Sequence, residues 1–247
     1  MMRTVDFAYP GARIQSRYGV RVPAAHWERL LRVGGLGAFL QAARDTGLRA
    51  WTLQLDPNAD AHQIEAQLRL LFRRHVAELA QWAPKAWRPA VEWCAALPDL
   101  AVIAHRLRGG MPAAWIANDV RLAWLAAGER PALPDELKFL APAKGGAPDP
   151  GAAWLKRWRE LWPATLPSER DGLEQLVQLL RVTVAGAAVD APAALARVRP
   201  PLRRLFRRHT RGPAGLFIHL LLTWQELVAV RGALLRRRLG LPTEAVP

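Results

Sequence analysis

The chain has 247 residues, one cysteine, and 35 lysines and arginines against 21 aspartates and glutamates, a formal net charge of +14. That length buries one sizeable core or two smaller ones, and the lone Cys94 excludes an internal disulfide framework or a cysteine-rich zinc site and fits a reducing compartment. The charge excess either calls for an acidic partner (nucleic acid, anionic lipid or an acidic protein surface) or reflects genome composition, because only Lys85, Lys138, Lys144 and Lys156 are lysines.

Asp6 and Tyr9 interrupt the start before an apolar core region forms, so no secretory signal is expected. Tyr9-Pro10-Gly11-Ala12-Arg13 begins a short segment that pauses near Tyr18-Gly19. Ala24 to Val33 and Leu36 to Thr46 read as short amphipathic helices split by Gly34-Gly35. Asp56-Pro57-Asn58 makes a turn and cap before a long helix over about Asp60 to Trp82, whose Ile64, Leu68, Leu71, Phe72, Leu79 and Trp82 share one side. Pro84 stops it, and Trp87 to Leu107 predicts a helix kinked at Pro98 and ended by Gly109-Gly110. Short helices follow over Pro112 to Gly128. After a proline-rich passage, residues 141–151 read as a linker between helical units in 1–140 and one in 152–247, or as a joint within one compact body. Helical patterns resume at Ala152 to Leu161, Ser168 to Leu180 and Ala191 to Arg199.

The longest uninterrupted helix is opened by Gly212-Pro213 and closed by Gly240 and Pro242. It carries an apolar stripe of Leu216, Leu220, Thr223, Leu227, Val230 and Leu234, and ends in Arg236, Arg237 and Arg238, a cationic knob suited to the negative end of the helix dipole. The most apolar run, Leu216 to Trp224, contains His219 and is too short to span a membrane. No run of alternating β-branched residues is long enough to build a sheet, so the chain reads as all-α.

Leu68-Arg-Leu-Leu-Phe-Arg-Arg-His75 and Leu202-Arg-Arg-Leu-Phe-Arg-Arg-His209 agree at seven of eight positions. Each precedes an apolar helix with an acid-led patch, Asp99 to Ile103 and Glu226 to Val230, so related helical units are expected to stack together. On a helical wheel Arg203, Arg204, Arg207, Arg208 and Arg211 fall in one arc opposite Leu202, Leu205, Phe206 and His209. Such an arc is a binding face or a solvated flank. From Arg197 to Arg238 there are eleven arginines and one acid, Glu226, which makes the basic face C-terminal.

These features together resemble the C/d family of V/A-type ATPase subunits, lettered C in the archaeal and bacterial enzymes and d in the vacuolar one. Tyr9-Pro-Gly-Ala12-Arg13-Ile14 is similar to the family's opening of tyrosine, a small residue, Ala-Arg and an apolar residue. His26-Trp-Glu-Arg-Leu-Leu31, Leu36 to Leu40 and Thr46 match its next two helices. Glu226, Val230, Arg231 and Gly240-Leu241-Pro242 fit its C-terminal pattern, with Ala229 at the asparagine position; Asp99 and Ile103 fit an earlier copy, with Val102 and Ala104 at the asparagine and basic positions. The resemblance implies helical units around a pseudo-threefold axis, forming a funnel-like, non-catalytic socket. It would sit at the cytoplasmic face of the cell membrane, as a peripheral protein between the proteolipid ring and the central shaft of a rotary motor. Its work would be torque transmission for proton or other ion transport. The chain is shorter than a usual member, which implies a reduced middle unit.

Trp154, Trp158 and Trp162 recur at four-residue spacing and are expected to form an exposed partner surface. No catalytic, cofactor-binding or metal-binding residues are expected. The six histidines lack ligand spacing, neither Ser16 nor Ser168 sits in a nucleophile elbow, and Asp135-Glu136 reads as a helix cap. Two functions from different classes remain: the rotary coupling role, and a helical nucleic-acid-binding or regulatory protein using the Arg203 to Arg211 face and Arg236 to Arg238. Anionic lipid is compatible with the first.

Overall fold

The structure, a computed structural model, describes residues 7–128, 149–165, 167–185 and 191–241, with backbone alone over 182–185 and 191–194. Among the described residues every regular element is helical, as the sequence predicts. The elements are α1 (Ala8–Gly19), α2 (Ala24–Leu31), α3 (Leu36–Arg44), α4 (Arg49–Thr52), α5 (Ala61–Trp82), α6 (Arg88–Trp93), α7 (Leu100–Leu107), α8 (Pro150–Glu160), α9 (Pro167–Ala185), α10 (Ala191–His209) and α11 (Pro213–Arg238). Tight 3-10 turns occupy Lys85–Trp87, Cys94–Asp99, Ala114–Asn118 and Ala123–Ala126.

Local chemistry accounts for several boundaries. Asp60 caps α5 in a reciprocal box: its Oδ1 accepts from Gln63 N at 2.8 Å, and Gln63 Oε1 accepts from Asp60 N at 2.8 Å. Asp149 caps α8, its Oδ1 accepting from Ala152 N at 2.9 Å, so Pro150 and Gly151 belong to a helix rather than to a linker. Residues 141–148 of the expected linker lie outside the described residues.

Pro98 does more than kink: with no backbone donor, it sits inside the 3-10 turn that separates α6 from α7. Pro200 and Pro201 do less than expected, because α10 continues through them. The buried row Leu195, Val198, Leu202, Leu205 and Phe206 runs unbroken across the prolines, and packing of that row outweighs the local penalty of about 3 kcal/mol.

Helix α11 departs from a simple stripe. Every residue from Pro213 to Gln225 is buried, and only beyond Gln225 does one face open to solvent. As a whole, α11 is long and apolar enough to cross a membrane, with a mean hydropathy of 1.4 over its best window, but 83% of that window is buried inside this fold. Burial on all sides by neighbouring helices identifies a core helix. It packs against α1, α3, α5, α9, α10 and the Cys94–Asp99 turn. Where α10 turns into α11 the backbones touch: a Cβ on Gly215 would lie 2.3 Å from His209 O, and one on Gly11 of α1 would lie 2.8 Å from Thr210 O.

One apolar core runs from Phe7 to Leu234 and joins α8–α11 to the N-terminal helices, while Ile103, Trp115, Ile116, Leu122 and Leu125 form a satellite. The tryptophan surface expected on α8 is part of the main core. Trp154 and Trp158 are each 1% exposed, and Trp162 is half-buried against them. Trp158 stacks on Trp154 at 5.8 Å and meets Phe217 edge-on at 4.9 Å; Phe217 contacts Trp87, which contacts Phe7. Trp93 and Trp154 exchange indole N–H to carbonyl bonds of 3.1 Å in both directions. The four-residue spacing thus marks the buried side of α8, where stacked rings exclude water.

Trp158→Ala is expected to cost about 3–5 kcal/mol in urea unfolding, because it empties a ring-sized space between α8 and α11. A loss below about 0.5 kcal/mol, the value for an exposed side chain, would contradict this packing.

Candidate functional site

The cationic face of α10 forms because its apolar half is fully used. Leu202, Leu205 and Phe206 are buried, which turns Arg203, Arg204, Arg207 and Arg208 to solvent, with Arg211 exposed in the turn that follows. Ala196, Arg199, Pro200, Arg203, Arg204 and Arg207 line a shallow groove of about 420 Å³. Arg199 is the half-buried end of this row, its Nε donating to Gln225 Oε1 at 3.3 Å. Burial, and then the charge of Arg203, hold the Arg199 guanidinium below its ordinary value, against the pull of Glu226. Among the described residues no carboxylate pairs with Arg203, Arg204, Arg207, Arg208 or Arg211.

The second arginine cluster does not join the first. Arg211 precedes α11 and Arg236 to Arg238 end it, so the 26 residues of that helix separate them by roughly 39 Å. Nor is Arg237 a free cation. It donates to Val33 O at 3.0 and 2.8 Å, Leu31 O at 2.8 Å, Leu30 O at 3.1 Å and Ala233 O at 2.8 Å, with its guanidinium 4.2 Å from the Phe39 ring centroid. Those bonds satisfy carbonyls at the end of α2 and anchor it to α11. Arg238 is exposed and Arg236 half-buried.

Two polar networks inside the fold were not singled out by the sequence. In the first, Arg69 Nη1 donates to Asp99 Oδ1 at 2.8 Å and to Pro98 O, and Arg73 bonds both Asp99, at 3.0 and 3.2 Å, and Asp119, at 2.8 and 2.9 Å. Burial disfavours the Arg73 charge, but Asp99 and Asp119 outweigh it and lift Arg73 above its ordinary value. Glu65 extends the network, lying 3.6 Å from Arg69 and pairing with Arg231 of α11. Asp99 and Arg231, matched to family positions, are therefore structural ties here. The echo at Leu68 to His75 was the signal for Arg69 and Arg73, but spacing alone did not show that they turn inward.

The second network lies where α1 and the loop after it cross α5 and α11. Arg21 donates to Glu226 Oε2 and Thr223 Oγ1, each at 2.7 Å, and to Leu222 O at 3.0 Å. Burial raises the Glu226 carboxyl above its usual range, opposed by Arg21 and Arg199 and a hydrogen bond from Trp51. Arg17 Nη1 donates to His75 Nδ1 at 3.0 Å, which puts the His75 proton on Nε2, and Arg17 Nη2 bonds Glu78 at 2.6 Å. The His75 and His219 rings are 5.5 Å apart, and among the described residues neither His219 nitrogen has a hydrogen-bond partner. Burial and the neighbouring arginines push His75 down to about 3 and hold His219 well below its usual value.

Among the remaining family positions, Tyr9 and Ala12 are exposed, and the Arg13 guanidinium lies 4.5 Å from the Trp82 ring and 5.5 Å from that of Tyr9. Among the described residues no three His, Cys, Asp or Glu side chains are placed to hold a metal ion. Cys94 is buried, and burial pushes its thiol up. No protein-family model, curated protein or solved structure matches the chain.

The histidine pair predicts acid sensitivity with a definite sign. Both imidazoles are neutral in the fold, whereas an unfolded histidine titrates near 6.5, so the unfolded chain binds more protons below that pH. Stability should be fully present above pH 6.5 and fall towards pH 3, at about 1.4 kcal/mol per pH unit for His75 alone. His219→Leu loses no hydrogen bond and should make the fall shallower in unfolding measured across that range; an unchanged profile would contradict the assignment.

Proposed function

We propose that this chain is a non-catalytic central-stalk socket of a V/A-type rotary ATPase. In that role it joins the rotor shaft to the proteolipid ring as a peripheral protein on the cytoplasmic face of the membrane, and transmits torque for ion transport. The observation that supports this reading is the common placement of its two motif acids. Asp99 and Glu226 each follow a copy of the arginine-rich octapeptide, and each is drawn into the interior and held by arginine from another element. A body that passes torque must resist shear between its helices. Ties from Arg21 and Arg237 fix the N-terminal helices to both halves of the 26-residue axle α11, which suits that mechanical task.

A second reading, a nucleic-acid-binding or regulatory helical protein, draws on the exposed α10 arginines. Under it, affinity for nucleic acid falls steeply as salt screens phosphate contacts.

A tagged copy recovered from gently solubilised membranes of the native host separates the two. The expected result is recovery of the ring and shaft proteins in fixed proportion, identified by mass spectrometry. Recovery of nucleic acid or of unrelated soluble proteins, without any other part of the ATPase, would contradict the rotary role.

A further inference from the structure

The two octapeptide copies provide an internal comparison. Leu68 and Phe72 in the first, and Leu202 and Phe206 in the second, are all buried, so both copies present the same apolar side to the core. Their arginines have opposite fates. Arg69 and Arg73 are covered by the Cys94 to Asp119 segment, which supplies the carboxylates of Asp99 and Asp119 and lays the Trp115 ring 4.5 Å from the Arg69 guanidinium. Arg203 and Arg207 hold the same places in the second copy and are exposed, with no carboxylate on them among the described residues. They stand one helical turn apart, about 6 Å along α10, on the wall of the 420 Å³ groove.

We infer that Arg203 and Arg207 form an external carboxylate clamp, which docks an acidic helical segment of a protein partner as Arg69 and Arg73 dock the Asp99 to Asp119 segment inside the fold. The inference goes beyond the rotary role and does not depend on it. Three observations select a polypeptide. The internal counterpart binds carboxylates presented by short helical turns. Beside the arginine groove, a second groove of about 330 Å³ is lined by Gln175, Gln178, Pro201, Leu205 and the flanking Arg204 and Arg208, a mixture that accepts an apolar side chain next to an acid. Among the described residues no aromatic side chain lines either groove, which gives bases no stacking platform there. A membrane surface fits less well, because among the described residues the exposed large apolar side chains, such as Met111 and Val120, lie outside α9 and α10. The crowded charge also favours an anion: burial first, and then the charge of Arg203, lower Arg199, and a carboxylate on Arg203 offsets the second of these.

The test uses the full-length protein and a labelled synthetic helix of about 20 residues, long enough to fold in part on its own, with glutamates at four-residue spacing and leucines on the flank. A sequence-scrambled isomer of equal charge, a single-stranded oligonucleotide and phosphatidylserine vesicles serve as competitors. The patterned helix should bind at least about tenfold more tightly than its isomer and resist both other competitors. Arg203→Glu with Arg207→Glu should weaken it about a hundredfold, and Arg203→Lys with Arg207→Lys about tenfold, since lysine keeps the charge but loses the bidentate fork. Arg238→Glu, at the far end of α11, should leave affinity unchanged. Absence of binding, equal binding of the isomer, displacement by oligonucleotide or vesicles at lower concentration, or indifference to charge reversal would each overturn the clamp. The exposed positions of Arg203 and Arg207 mean that the variants should fold, which an unchanged melting temperature verifies.

Discussion

A helix surrounded by protein for half its length sets a demand that the rest of the chain must meet. From Pro213 to Gln225 helix α11 has no solvent face, so its polar groups, His219, Thr223 and Gln225, and the neighbouring Glu226, must find partners from other elements or stay neutral. The partners come from far along the chain. Arg21 reaches Thr223 and Glu226 from the loop after α1, and the Leu195 carbonyl of α10 accepts from Gln225 Nε2 at 3.2 Å. His219 has no such partner among the described residues and stays neutral instead. Apolar burial places the helices around α11, and these bonds then fix their rotation and register.

The same logic divides the arginines into two populations. Arg21, Arg69, Arg73, Arg106 and Arg237 turn their terminal nitrogens to acceptors inside the fold, mainly carboxylates and carbonyls; Arg106, only 3% exposed, binds Leu125 O, Gly110 O and Gly128 O and so holds the satellite cluster together. A planar fork with five donors serves several acceptors at once, which a lysine ammonium cannot match geometrically. Once these structural guanidiniums are set aside, the net charge of +14 has its clearest external expression on α10.

Helical class, the long α5 and the extent of α11 were readable from periodicity, turn residues and glycine or proline stops, but the cap of α5, expected in the Asp56 to Asn58 turn, falls on Asp60. Less readable was which side of a periodic face is covered. Trp154, Trp158 and Trp162 share a face at any rate, but only the approach of Phe217 and Trp93 decides that this face is interior. Pro200-Pro201 looked like a helix end because local propensity ignores the buried row that carries α10 across it. For Arg69 and Arg203, local sequence that agrees at seven of eight positions gives opposite environments, because the deciding groups, Asp99, Trp115 and Asp119, are distant in the chain. The cationic face of α10 was visible as an arc on a wheel, and the distance between Arg211 and the cluster Arg236 to Arg238 follows from the readable length of α11; the carbonyl partners that tie down Arg237 were not readable.

The claim on which both the rigid body and the outward clamp depend is that one arginine pair is consumed internally while its repeat is free. Urea unfolding of Arg69→Ala with Arg73→Ala, set against Arg203→Ala with Arg207→Ala, measures that difference directly. The inner pair should cost about 3–5 kcal/mol, since its removal strands Asp99 without a counter-charge, and the outer pair should stay within about 0.5 kcal/mol. Equal losses in the two variants would contradict the account, because they would put the α10 arginines to the same structural use as those of α5.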